Sequence, residues 1–242
     1  MPAPLLYVSA RPQRDAAAAE YASFLSGLGV DAASLDRLDL AHEPLPADAL
    51  ERYAGFVVGG SPFNVTDAVK SSEQQRLEAD LEIIAAAAAA SRVAALFTCF
   101  GIGVVTRMLG GTVSREVPEA TGPTTITVTA AGRSDALLSH LGGSFSALTA
   151  HKEGAADVPP DAVLLATNEL CPVQAYRVGD RLWATQFHPE STPLAFTQRM
   201  AVYRDGGYFA PSDYDEIAAR VLRSPVTEPP RLLGAFAERF AA

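Results

Sequence analysis

The sequence predicts an α/β fold: an open, mostly parallel sheet with helices on both faces and a small antiparallel addition. Three observations predict it. From Leu5 to Leu109 short apolar runs alternate with longer helix-periodic segments, the signature of strand–helix–strand units. From Val163 to Phe187 three short runs follow one another, the last two joined by the turn Gly179-Asp180, which reads as antiparallel hairpins. With 242 residues and an apolar fraction of 48%, the chain has material for one sizeable core, so 1–242 is read as a single domain with 197–242 as its C-terminal helical extension.

Taken in order, Leu5 to Ser9 is a buried strand, and the alanine-rich segment Arg14 to Leu28 is a helix stopped by Gly27 and Gly29. Val30 to Leu35 is read as a short second strand, Ala41 to Ala47 as a proline-containing loop, and Asp48 to Tyr53 as a helical turn. Gly55 to Val58 is a third strand. Asp67 to Ala90 reads as a long helix whose charges form a wet face, and Val93 to Phe97 as a fourth strand. Strands are further expected at Thr124–Thr129, Ser144–Thr149, Val163–Thr167, Val173–Val178 and Leu182–Phe187. Ile217–Leu222 and Leu232–Phe240 are expected as helices.

Composition excludes several classes of function. A net charge of −9 argues against nucleic acid or an anionic membrane as the main partner. No run approaches the roughly 18 apolar residues that a membrane span needs, and Met1 to Pro4 lacks the basic start of an export signal. Two cysteines far apart in such a chain predict free thiols and a cytoplasmic location. Four scattered histidines and two cysteines offer no metal-ligand spacing, so neither a metal nor another cofactor is expected.

Chemistry concentrates in three places. The stretch Ala94 to Gly111 reads as strand, sharp turn and helix, with Cys99 on the turn. A thiol there faces the positive end of a helix, which favours the thiolate, and the Phe100 N–H points at any oxyanion formed on an attacked carbonyl. Taken alone, Cys99 reads equally well as a small buried apolar residue. Gly59-Gly60-Ser61-Pro62-Phe63-Asn64 ends the third strand, either as an ordinary turn or as a loop whose N–H groups complete an oxyanion hole. Finally, His188 closes the last strand, is fixed by Pro189 and is followed by Glu190. Such a histidine can exchange a proton with Cys99 while Glu190 holds its tautomer. Three such features in one chain make coincidence a poor explanation.

The motifs Gly59-Gly60-Ser61-Pro62, Cys99-Phe100-Gly101, Leu109-Gly110-Gly111, His151-Lys152-Glu153, Cys171-Pro172-Val173-Gln174-Ala175 and Gln186-Phe187-His188-Pro189-Glu190 resemble the class I glutamine amidotransferases with a Cys-His-Glu triad. Within that family they are most similar to the glutaminase domain of GMP synthase and its stand-alone relatives. The resemblance runs from about Leu5 to Thr192. It implies a flavodoxin-like core, Cys99 as nucleophile, His188 as base and acid, Glu190 as the orienting carboxylate, and Gly59 and Phe100 as oxyanion donors. The implied reaction is attack on the side-chain amide of glutamine, release of ammonia and hydrolysis of a γ-glutamyl thioester.

Departures from the family pattern fall at positions around these three. Phe97 stands where glycine usually lies two residues before the nucleophile, and Gly103 replaces a glutamine that helps to hold the substrate. Ala150 and Glu153 replace the usual serine and aspartate beside His151. Gly103 leaves out a polar arm, so free glutamine is expected to be held weakly and a larger γ-glutamyl compound to find room. Cys171 is expected to be structural, His42 and His140 solvent-facing, and His151 to lie near the rim of the site as a structural hydrogen-bonding group or a substrate contact. Three functions therefore stand: a glutaminase that feeds a separate synthase subunit, a stand-alone hydrolase of γ-glutamyl amides or peptides, and a catalytically weak regulatory or binding subunit.

Overall fold

A computed structural model describes residues 4–241; Met1 to Ala3 of the N-terminal segment lie outside them. A nine-stranded sheet runs in the order β2-β1-β3-β4-β11-β10-β9-β6-β7. Its strands are β1 (Leu5–Ser9), β2 (Leu35–Asp39), β3 (Gly55–Val58), β4 (Ala94–Thr98), β6 (Glu119–Val128), β7 (Ser144–His151), β9 (Ala162–Thr167), β10 (Ala175–Val178) and β11 (Leu182–Thr185). From β2 to β11 all neighbours pair parallel. From β11 outward β10, β9, β6 and β7 pair antiparallel, forming the expected addition as a four-stranded wing. A separate small ladder joins β5 (Val113–Ser114) to β8 (Gly154–Ala155).

Helices cover both faces because the central strands are apolar on both sides. On β4, Ala95 and Phe97 face one core layer, with α3 (Ser72–Ala89) and α4 (Phe100–Met108) over it through Leu77, Leu81, Ile84 and Val105. Ala94 and Leu96 face the other, under α1 (Arg14–Leu28) and α8 (Pro230–Phe240) through Phe24, Leu28, Leu233 and Phe236. Each such buried leucine or phenylalanine is worth about 1.5–3 kcal/mol. Among the described residues no helix is long and apolar enough to cross a membrane.

Three local expectations need correction. The second strand is Leu35–Asp39 rather than Val30–Leu35: Asp31 Oδ1 accepts from Ala33 N–H and the Ser34 hydroxyl and turns the chain there. The edge strand that follows buries only Leu35 and Leu38, which hides its signal. Gly27 lies inside α1, where a Cβ would sit 2.5 Å from Leu233 Cδ1; Gly29, at φ 67°, is the stop. The segment after Thr192 also forms α6 (Pro193–Val202), with the Thr192 hydroxyl capping Ala195 N–H and Pro193 in the first turn.

Candidate active site

The three neighbouring strands β3, β4 and β11 end side by side, with Val58 opposite Phe97 and Thr98 opposite Thr185. Their carboxyl ends therefore deliver Gly59-Gly60, Cys99 and His188 to one crevice, the usual ligand position in an open α/β sheet. Cys99 has φ 51° and ψ −104°, an uncommon conformation for a residue with a side chain. Its N–H is held by Thr185 O at 2.8 Å. The Phe100 N–H opens α4 and has no acceptor within the helix.

Phe97 is packed inside this turn. Its ring is fully buried, and it fits because Gly101 lacks a side chain; a Cβ there would lie 3.0 Å from Phe97 Cβ. The space that Phe97 takes at one elbow position is recovered at Gly101, two residues after Cys99.

His188 is buried, its N–H donating to Leu148 O of β7 at 3.1 Å. Glu190 Oε1 lies 2.8 Å from Nδ1, which leaves Nε2 for Cys99. Burial disfavours the imidazolium, but the charges of Glu190 and then Cys99 outweigh it and raise the His188 pKa to about 9; Arg199 opposes them. Burial likewise opposes the Glu190 charge, yet His188 and Arg199 hold that carboxyl well below the usual range.

Behind the three residues lies an ion network that sequence reasoning missed. Arg199 Nη1, from α6, donates to Glu190 Oε1 and to Glu20 Oε1, both at 3.0 Å, and its other nitrogen bonds the Ser191 hydroxyl. Arg11 Nη2 reaches the same Glu20 oxygen at 2.8 Å, and the Tyr7 hydroxyl donates to Glu20 Oε2 at 2.8 Å. Two signals were readable: Phe196 and Met200 stand at helical spacing behind a Thr-Pro cap, and Glu20 lies on the face of α1 that buries Ala17 and Phe24.

The glycine loop plays a different part from the expected one. Gly59 N–H is spent on Val8 O at 3.0 Å, so the oxyanion role assigned to Gly59 is not supported. The residue is needed because a Cβ would sit 2.1 Å from Glu20 Oε2. Gly60 lies against His188 and Cys99: its Cβ would lie 3.0 Å from His188 Cε1 and 3.5 Å from Cys99 Cβ. Its N–H is aimed at Glu20 Oε1, 3.3 Å away.

Two cavities meet at Cys99, sharing Ser61, Ala150 and Tyr208 in their walls. One runs along the start of α4 past Phe100 and Gly103 to Glu153 and Gln186. The space beside Gly103 is not vacant, contrary to expectation: a Cβ there would lie 3.2 Å from Val65 Cγ2. Glu153 fixes that valine, Oε1 accepting from Val65 N–H at 2.6 Å and Oε2 from Thr66 N–H at 3.1 Å. The second cavity runs past His188 to Phe196, Met200, Tyr203 and Phe209.

His151 is buried with both ring nitrogens engaged, Nδ1 with Glu153 O at 2.9 Å and Nε2 with Glu119 Oε2 at 2.8 Å, which favours the structural alternative. Cys171 is fully buried beside it, and burial, then the Glu119 charge, push its thiol up to about 12. His42 and His140 are exposed. Among the described residues two groups of side chains have the chemistry to hold a metal, Glu119/His151/Cys171 and Glu20/His188/Glu190. In the first the thiol is held protonated; in the second two arginines already neutralise the carboxylates.

Residues 30–202 match the family described as Glutamine amidotransferase class-I. The chain is 29% identical over 179 residues to gamma-glutamyl peptidase 3 of Arabidopsis thaliana, covering 69% of this chain and 67% of that protein. It is 30% identical over 161 residues to a glutamine-hydrolyzing GMP synthase of Aeropyrum pernix, covering 66% of this chain but 27% of the synthase. The chain thus spans roughly a quarter of the length of that synthase. In fold it is similar to a glutamine amidotransferase from Thermotoga maritima, with a TM-score of 0.76, 16% identity and 98% of each chain covered.

Proposed function

The chain belongs to the class I glutamine amidotransferase family, and from that premise we propose that it hydrolyses the γ-amide bond of glutamine or of a γ-glutamyl compound through a Cys99 thioester. One observation carries the reading: His188, locked by Glu190 through Nδ1, and Cys99, on a strained strand-to-helix turn, crowd the same side of Gly60, whose Cβ would lie 3.0 Å from His188 Cε1 and 3.5 Å from Cys99 Cβ. Cys99 Sγ, its proton already held by His188, attacks the γ-carbonyl carbon. The negative oxygen that forms is stabilised by the Phe100 N–H at the start of α4. His188 then returns the proton to the departing nitrogen, and the C–N bond breaks. Water, deprotonated by His188, cleaves the thioester to a γ-carboxylate and restores the thiol. Glu190 stays ionised throughout and holds the ring.

The likeness to GMP synthase supports a second reading, in which glutamine is the substrate and the ammonia passes to a separate synthase subunit. The test is a time course of glutamate and amine release from glutamine beside a γ-glutamyl dipeptide, for the wild type and Cys99→Ser. Glutamate release that Cys99→Ser abolishes is the expected result. Turnover of neither compound, even with a candidate synthase added, would overturn the proposal and leave the regulatory reading.

A further inference from the structure

The two cavities at Cys99 differ in which part of the machinery they touch. Phe100 and Gly103 of α4 line one only, and His188 lines the other only. Acyl transfer assigns them. The carbonyl oxygen must lie at the Phe100 N–H, while the departing nitrogen must lie where His188 can protonate it. The glutamyl portion therefore lies toward α4, and the leaving group departs into the cavity beside His188.

That second cavity is built for more than ammonia. Its volume is about 40 Å³, on a scale where one water needs roughly 10–15 Å³. Five large apolar or aromatic groups, Phe196, Met200, Tyr203, Tyr208 and Phe209, form its walls, and Arg11 and Arg199 also line it. Three of these walls are anchored. Phe196 sits with its ring 6.1 Å from that of His188, and Phe209 packs 6.2 Å from Tyr214. Tyr208 lies 4.5 Å beneath the Lys152 ammonium, which also donates to Gly206 O at 2.7 Å and so ties the segment after α6 across the site. Burial, then the Cys99 charge, push the Tyr208 hydroxyl up, which keeps it neutral beside the nucleophile.

Resting on the γ-glutamyl thioester reading, we infer that this cavity is a leaving-group subsite. The preferred substrates are then γ-glutamyl amides whose departing amine carries an apolar or aromatic side chain, such as a γ-glutamyl dipeptide with a large second residue. An apolar wall rewards each added methylene by about tenfold or more in kcat/KM, whereas ammonia gains nothing from it.

The experiment measures kcat/KM on the wild-type chain for glutamine, γ-glutamyl-glycine, γ-glutamyl-leucine and γ-glutamyl-phenylalanine, with Cys99 acylation followed by intact-protein mass. The expected result is a rise of at least about tenfold from γ-glutamyl-glycine to the leucine and phenylalanine compounds. Phe209→Ala should then lower the phenylalanine-to-glycine ratio by a similar factor. A flat or falling series with Cys99 acylated would overturn the subsite and leave the thioester reading intact. No acylation by any of the four would overturn both. The wild-type series decides the matter even if Phe209→Ala folds poorly.

Discussion

The protein contains two constellations of cysteine, histidine and glutamate, Cys99/His188/Glu190 and Cys171/His151/Glu119. Their histidine–carboxylate contacts are the same length, 2.8 Å. They differ in the other ring nitrogen and in the thiol. His188 Nε2 is left for Cys99, which lies between two cavities, whereas the second nitrogen of His151 is spent on Glu153 O. Cys171 is sealed in, and Glu119 turns to Gln174 and Asn168 as well as to the ring. The three residue types alone therefore do not make a catalytic triad. The mechanism proposed above also needs a free nitrogen, a cavity and a turn that presents the sulfur, while the same residues with every valence occupied form a structural clasp between β6, β7 and the loop before β10.

Substitution of the two histidines should separate these roles most widely. His188→Gln is expected to lower kcat by at least ~10³-fold, since general acid–base catalysis and the nucleophile act as a unit. His151→Gln should leave kcat of the folded protein within a few-fold but cost about 3 kcal/mol of stability, because it breaks a buried pair. Turnover of a γ-glutamyl substrate and urea unfolding, run on both variants, check this. Equal losses of activity would erase the distinction.

The charges around His188 offer the next test. With its pKa near 9, the imidazolium that protonates the leaving nitrogen is lost as pH rises through about 9, so kcat/KM should fall on an alkaline limb there. Glu190 raises the pKa, so Glu190→Gln should move the limb to lower pH; Arg199 lowers it, so Arg199→Met should move it higher. The same shift bears on folding. A group whose folded pKa is raised contributes stability fully below its unfolded value of about 6.5, and that contribution is lost as pH rises through about 9. Arg199→Met should also destabilise by roughly 3–5 kcal/mol, since it leaves Glu20 and Glu190 facing each other without their shared cation.

A smaller effect is expected at Gly103. A glutamine there meets Val65, which Glu153 holds in place, so Gly103→Gln should raise KM for glutamine severalfold rather than lower it. Gly103→Gln in a Val65→Ala background should recover part of the loss. A lower KM in the single variant would show that Val65 yields.

Much of the frame was legible because it is written in local pattern. The apolar runs of β1, β3, β4 and β11 and the motifs at their ends placed Cys99, His188 and Glu190 without any tertiary knowledge. What escaped was set by partners distant in sequence. Leu35–Asp39 is a strand because β1 pairs with it, although its own residues alternate poorly. Glu20, Arg11 and Arg199 look like surface charges one at a time, and only the fold joins them behind Glu190. The Gly59 N–H looked free because the sequence does not show that Val8 O continues the sheet one residue past β3.

Trapping of the covalent intermediate tests the central claim most directly. The wild-type chain mixed with a γ-glutamyl dipeptide, quenched in acid within its first turnovers and digested, should yield one γ-glutamyl adduct, on the peptide containing Cys99. The adduct should be missing in Cys99→Ser and unaffected by Cys171→Ala. An adduct on Cys171, or substrate cleavage that persists in Cys99→Ser, would contradict the account.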